Sequence, residues 1–374
     1  MLKVLLAGGG TAGHINPALA IASIIKEHRP DAEFLYAGTP NGMESKLVPR
    51  ENINFAPIRV SGFQRKLSFK NIGRNIRAAA YLTTAGFRAR QIIKDFSPDI
   101  VIGTGGYVSG PIVMKAAEMK IPTVIHEQNA YPGVTTRILS KRVSAVMLTV
   151  PEALEYLDKP VKYTVTGLPV RKGFTASLSR EEAKSRLGFD GGMCILSWGG
   201  SLGAGAINDI AAELIKYEQE NKLDINHIHS YGKMGHGTFE DRLRENGVDL
   251  GDKRLSVQEY IHNMDVCTAA ADLIICRSGA SAISELEAIG RASILVPSPV
   301  VAGNHQYHNA MVLGNAGAAV VIEQKDLNIS EVIDRVRDMY DHREKLDELA
   351  QRAKGLYIED TPDRIWKVIS SVIG

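Results

Sequence analysis

The sequence predicts an α/β protein made of two Rossmann-like parallel-sheet domains facing a cleft, and three observations lead there. Short apolar runs are followed by glycine-rich turns and then helical patterns, as in Lys3–Ala7, Gly8–Gly13 and a helix from about 16 to 28. The rhythm restarts beyond Gly167-Leu168-Pro169, with Cys194–Ser197 as a strand, Gly199–Gly205 as a glycine turn and 208–219 as a helix. At 374 residues, the chain also exceeds what one hydrophobic core usually serves.

Further buried strands of the first series are expected at Phe34–Ala37, Ile100–Ile102, Thr123–Ile125 and Ala145–Leu148. The second series continues near His227–Ser230, Leu273–Cys276 and Ile294–Val296. Strands alternating with helices imply parallel pairing through right-handed crossovers. The expected domains are residues 1–165 and 166–355. Thr361-Pro362 then opens a last helix, because proline in a first turn loses no hydrogen bond. Its apolar stripe of Ile365, Trp366, Ile369, Val372 and Ile373 must be covered, so 356–374 is expected to pack back on the first domain.

An apolar content of 44% with 23% charged residues excludes a disordered chain. Three cysteines (Cys194, Cys267, Cys276) without C-x-x-C spacing exclude a disulfide scaffold and argue against structural zinc. No apolar run reaches 18 residues and the N-terminal run is too short for a signal peptide, so a cytoplasmic protein is expected. The net charge of +2 hides an asymmetry. Residues 1–165 carry 21 basic and 12 acidic side chains, or +9, whereas 166–374 carry 23 and 30, or −7. Such halves suit different partners.

Gly8-Gly9-Gly10-Thr11-Ala12-Gly13 satisfies G-x-G-x-x-G between a strand and a helix. A dinucleotide site also wants an acid after the second strand, and Phe34-Leu35-Tyr36-Ala37 runs into Gly38-Thr39 instead. What survives is a glycine loop at a helix N-terminus, able to receive an anion or a hydroxylated ligand. His14 follows at the positive end of that helix, which disfavours imidazolium and leaves it able to accept a proton. A second loop, Gly199-Gly200-Ser201-Leu202-Gly203-Ala204-Gly205, lacks the lysine of a P-loop, yet its amides and the Ser201 hydroxyl could cradle a diphosphate. Arg171 could add a fixed positive charge or form an interdomain salt bridge. Glu285, in the helix after Cys276-Arg277-Ser278-Gly279-Ala280, could accept hydrogen bonds from a ribose diol or lie solvated.

A third loop, Gly103-Thr104-Gly105-Gly106-Tyr107, and His126-Glu127-Gln128-Asn129 end two further strands and are expected on the same edge as His14. The segment Gly303-Asn304-His305-Gln306-Tyr307 suits a hydroxylated ligand and does not match a zincin helix, so no metal and no cofactor are expected. No Asp-x-Asp occurs, so a departing diphosphate must be met by amides and Arg171. From Arg59 to Lys94 there are nine basic residues and no acid, interleaved with apolar ones. Lys66, Phe69, Lys70, Ile72, Ile76 and Arg77 are expected to face an anionic membrane. Nucleic acid is the weaker reading, since the rest of the chain is acidic and no nucleic-acid motif appears.

Taken together, Gly8–His14, Gly105-Gly106-Tyr107, His126–Asn129, Gly199-Gly200-Ser201, Cys276–Ala280 and Gln306-Tyr307 resemble the MurG family of peptidoglycan glycosyltransferases over essentially the whole chain. The resemblance implies the glycosyltransferase B architecture and inverting transfer of N-acetylglucosamine from UDP-N-acetylglucosamine to the 4-hydroxyl of the muramoyl unit of lipid I. It places the protein peripherally on the cytoplasmic face of the cell membrane, in cell-wall synthesis. It implies donor contacts at Thr11, Gly13, Asn129, Arg171, Ser201, Ile261, Ala280, Glu285 and Gln306. Acceptor contacts fall at Gly10, His14, Gly105, Gly106 and Tyr107, with His14 as candidate base. Two departures stand out: Leu168 where the family often has asparagine, and His305 where it often has glutamine. A UDP-sugar epimerase, a related UDP-sugar-dependent lipid glycosyltransferase and a non-catalytic membrane-docking protein are the alternatives.

Overall fold

The computed structural model describes residues 1–60, 84–158, 162–175 and 178–374. Lys66, Phe69, Lys70, Ile72, Ile76 and Arg77 lie outside the described residues. Strands β1 (Lys3–Ala7), β2 (Glu33–Gly38), β3 (Asn54–Pro57), β4 (Ile100–Gly103), β5 (Thr123–Glu127), β6 (Ala145–Leu148) and β7 (Tyr163–Val165) form one sheet. Its order is β3-β2-β1-β4-β5-β6-β7. A second sheet holds β8 (Met193–Trp198), β9 (Ile225–Ser230), β10 (Leu255–Gln258), β11 (Leu273–Cys276), β12 (Ala292–Leu295) and β13 (Val320–Val321), in the order β10-β9-β8-β11-β12-β13. All pairings between these strands are parallel.

The central strands are apolar throughout because helices cover both faces of a doubly wound sheet. Val4, Leu5, Leu6 and Ala7 of β1 are fully buried, as are all four residues of β11. In both sheets the order reverses beside the first strand of the series, between β1 and β4 and between β8 and β11. Crevices for ligands open at such reversals, at the carboxyl ends of the strands.

The chain divides into a unit of Met1–Pro169 with Ile358–Gly374, and a unit of Val170–Tyr357. The return of the C-terminus is driven by the helix Thr361–Ile373, whose Ile365, Val368 and Ile369 are buried against the helix Ala12–His28 and the strands beneath it. Trp366 stacks on His28 with ring centroids 4.7 Å apart and planes within 3°. Among the described residues no helix is long and apolar enough to cross a membrane.

β2, β8 and β9 run slightly longer than their sequence patterns. The first helix begins at Ala12 rather than near 16 because the end of the glycine loop already forms its first turn. Ile369→Ala should destabilise the first unit by about 2–5 kcal/mol, since a buried isoleucine leaves a cavity on truncation. Denaturant unfolding of the full chain measures this, and a loss below about 0.5 kcal/mol would show that the helix does not contribute to that core.

Candidate active site

Four helices start at the sheet reversals, and none has a side-chain cap or an acid in its first turn. They are Ala12–His28 after β1, Gly106–Glu118 after β4, Gly205–Glu220 after β8 and Ala280–Ile289 after β11. Two other helices do carry side-chain caps: Ser179 and Glu182 form a reciprocal capping box, and Asn328 accepts from the Ser330 amide. The four N-termini present first-turn amides without a side-chain cap, and positive dipole ends, at the two switch points.

In the first unit the loops after β1 and β4 touch backbone to backbone. Gly106 has φ +74°, and a Cβ there would collide with the Gly9 carbonyl oxygen. Gly105 has φ +102°, and its Cβ would lie 2.8 Å from His14 Nδ1. Glycine is required at both positions, which brings the ring of His14 against the β4 loop. Thr104 Oγ1 donates to the His14 carbonyl at 2.6 Å, and His14 Nδ1 lies 3.0 Å from Gln128 Oε1. Gly10 approaches Tyr107, whose partly exposed ring closes this edge. Burial raises the Tyr107 hydroxyl above its usual range, and the Glu44 charge adds to this. Pro17 and Pro111 have no N–H to offer the carbonyls four residues back, at Gly13 and Tyr107.

Three buried groups hold these loops, and of them the sequence marked only Glu127, within its His126–Asn129 motif. Glu44 is 0% exposed and accepts from the amide and hydroxyl of Thr39 at 2.9 and 2.6 Å and from the Gly10 amide at 3.4 Å. Tyr36 donates to the Gly8 carbonyl at 3.0 Å. Glu127 takes the backbone and side-chain amides of Asn129 on one oxygen and the Gly133 amide on the other. Glu44 sits in Gly42-Met43-Glu44-Ser45, a stretch that reads as solvated, so no local signal marked it.

In the second unit the loop after β8 leans on the turn after β9. Gly203, at φ +81°, has no room for a Cβ beside the Tyr231 carbonyl, and Gly232 none beside Gly203. This leaves Ser201 exposed at the loop tip. Arg171 and Glu285 are brought together: Nε and Nη2 donate to Glu285 Oε1 at 3.0 and 2.9 Å. The pair lies within this unit, so the alternative of an interdomain bridge is corrected. The Glu285 carboxyl is raised by burial and drawn back by Arg171, and it is not a solvated helix residue. Gln306 Oε1 accepts from the Ser298 amide at 2.9 Å, and its backbone carbonyl accepts from Ser278 Oγ at 2.7 Å. The side-chain carbonyl is thus engaged and the Nε2 hydrogens are its remaining donors. His305 Nδ1 lies 2.9 Å from the Ala302 carbonyl, which staples the start of the helix His305–Asn315. Ile261 is buried, and Ala280 opens the helix after β11.

Two doubly wound units with glycine loops and uncapped helices at their switch points have the glycosyltransferase B architecture. The chain belongs to glycosyltransferase family 28: the family's N-terminal domain matches residues 4–148 and its C-terminal domain residues 194–365. It is 43% identical over 373 residues to a UDP-N-acetylglucosamine–N-acetylmuramyl-(pentapeptide) pyrophosphoryl-undecaprenol N-acetylglucosamine transferase of Acetivibrio thermocellus. That match covers 100% of this chain and 98% of the relative. A protein of the same name from Caldanaerobacter subterraneus subsp. tengcongensis is 39% identical, covering 99% of this chain and 100% of the relative. The crystal structure of Acinetobacter baumannii MurG superposes with a TM-score of 0.79 at 28% identity, covering 99% of this chain and 100% of that one.

Two histidines of the folded chain are held neutral by burial. His126 is lowered by desolvation, partly offset by the Gly167 carbonyl and Glu127, and His229 is lowered well below its usual value by desolvation and by His227. Their folded values lie below the unfolded one of about 6.5, so their contribution to stability is complete above that pH and is lost as pH falls below it. Each should steepen the fall in unfolding free energy as pH drops below about 6.5, by at most about 1.4 kcal/mol per pH unit. In His229→Gln that slope should drop by up to one proton's worth, and an unchanged slope in denaturant titrations would count against burial as the cause.

Proposed function

We propose that this chain transfers N-acetylglucosamine from UDP-N-acetylglucosamine to the 4-hydroxyl of the muramoyl unit of lipid I, forming lipid II with inversion at the anomeric carbon. The observation that carries it is end-to-end identity of about 40% with transferases of that printed name. In the second unit, Glu285 takes the ribose diol, the Ile261 backbone meets the uracil, and Gln306 with Ala280 meets the sugar. Ser201, the first-turn amides of Gly205–Glu220 and Arg171 take the diphosphate. Because Arg171 donates to Glu285, binding of ribose and diphosphate exchanges that ion pair for contacts to the donor. Thr11, Gly13 and Asn129 are proposed to complete the donor contacts. Gly10, Gly105, Gly106 and Tyr107 bind the acceptor beside His14.

The acceptor oxygen forms its bond to the anomeric carbon as the bond from that carbon to the diphosphate oxygen breaks, and the electron pair leaves with the diphosphate. His14 takes the hydroxyl proton, while the helix amides and Arg171 stabilise the leaving charge. Release of uridine diphosphate should therefore require a polyprenyl-pyrophosphoryl-muramoyl acceptor. Equal release without acceptor would sink the transferase reading. His14→Ala should lower kcat by about 10²–10⁴-fold with little change in donor KM, whereas equal losses in kcat and donor affinity would make His14 a binding residue.

The protein is proposed to work peripherally at the cytoplasmic face of an anionic membrane. Supporting this, residues 84–96 are helical, with Ala85, Ala89, Ile92 and Ile93 buried. The opposite face carries Phe87, 80% exposed, with Arg90 and Lys94 at helical spacing from it. Each cation near anionic headgroups contributes about 1 kcal/mol. Arg90→Glu with Lys94→Glu should weaken binding to phosphatidylglycerol-containing vesicles by roughly 10- to 100-fold, with no effect on neutral vesicles. Sedimentation with vesicles of both kinds reads this out, and unchanged binding would remove this face from the docking surface.

A further inference from the structure

A chain of buried hydrogen bonds runs from the backbone of Gly167 to the ring of His14, and its donors and acceptors can be assigned in only one consistent way. His126 Nε2 lies 3.0 Å from the Gly167 carbonyl oxygen. A carbonyl only accepts, so this nitrogen carries the proton and Nδ1 of the neutral ring is an acceptor. Gln128 Nε2 lies 3.1 Å from that Nδ1 and 2.8 Å from the His126 backbone carbonyl. Both partners demand a donor, which orients the amide with its nitrogen toward His126. Gln128 Oε1 then faces His14 Nδ1 at 3.0 Å. An amide oxygen accepts, so His14 must be protonated at Nδ1.

Turning the amide over would set its oxygen against the His126 carbonyl oxygen. Gln128 and His126 are 3% and 1% exposed, so water cannot relieve such a clash. The ring of His14 is further limited by the Gly105 backbone and by Thr104 on its own carbonyl. We propose that Gln128, aligned by His126, is a positioning residue that fixes His14 as the Nδ1–H tautomer and so presents Nε2, with its lone pair, to the acceptor hydroxyl. This rests on the reading of His14 as base. An amide suits the task better than a carboxylate would, because it orients the ring without a counter-charge that would favour the imidazolium.

Long-range proton–nitrogen NMR on full-length protein with ¹⁵N-labelled histidine, at pH 8, distinguishes the two tautomers of His14, assigned by its loss in His14→Ala. The wild-type protein should show the Nδ1–H form, and an Nε2–H form would overturn the proposal without any mutant. Gln128→Met keeps the side-chain volume but removes all three side-chain hydrogen bonds. It should mix the tautomers and lower kcat by about 10- to 100-fold while donor KM stays unchanged, as when the partner orienting an imidazole is removed. An unchanged tautomer in Gln128→Met would also overturn it. If His14→Ala retained its kcat, the base reading would fail, and the wild-type spectrum would still decide the tautomer.

Discussion

The contact on which the rest of this site depends is the meeting of two irregular loops at the carboxyl edge of each sheet. In the first unit, Gly9 meets Gly106 with no side chain between them, and in the second Gly203 meets the Tyr231-Gly232 turn. The helices that begin there have no side-chain cap, with Thr11, Gly105 and Ala204 at their N-cap positions. The same approach carries the ring of His14 to the β4 loop, where a Cβ at Gly105 would collide with it.

Burial then separates the parts that hold from the parts that exchange. Glu44, Glu127, His126 and Gln128 are almost fully enclosed, and most of their hydrogen bonds go to backbone groups of the loops they support. Breaking any of them would strand a polar group away from water, which gives the loops a single geometry. Arg171 with Glu285 differs, since its arginine is largely in solvent while the carboxylate is largely enclosed. The arginine end of the pair is open to exchange partners at the proposed diphosphate position, whereas the surroundings of the proposed base are closed.

Much of this was legible in the chain itself. β6 and β11 coincide with their apolar runs, because a strand buried on both faces has no reason to alternate. β3, β7, β10 and β13 were not seen. They lie toward the outside of the sheets, are two to four residues long and are largely half exposed, so their apolar signal is weak. Of the site, the glycines, His14, Ser201, Arg171, Glu285 and Gln306 were marked by position after strands. Glu44 and Tyr36 were not, because a group that supports a loop from beneath carries no pattern of its own. Gln128 stood within a visible motif, yet its role depends on which way an amide faces.

By itself, the sequence determined the succession of buried strands, glycine turns and helices, the two series they form and the apolar stripe that returns the C-terminus to the first unit. These follow from interactions between neighbours in the chain, where periodicity and backbone freedom are local properties. Only the tertiary structure decided that Arg171 pairs with Glu285 and that Gln128 meets His14, each pair 114 residues apart. Strand order brings His14 and Gln128 to one sheet edge, and burial then selects the hydrogen-bond pattern that gives every polar atom of the Gln128 amide and the His126 ring a partner.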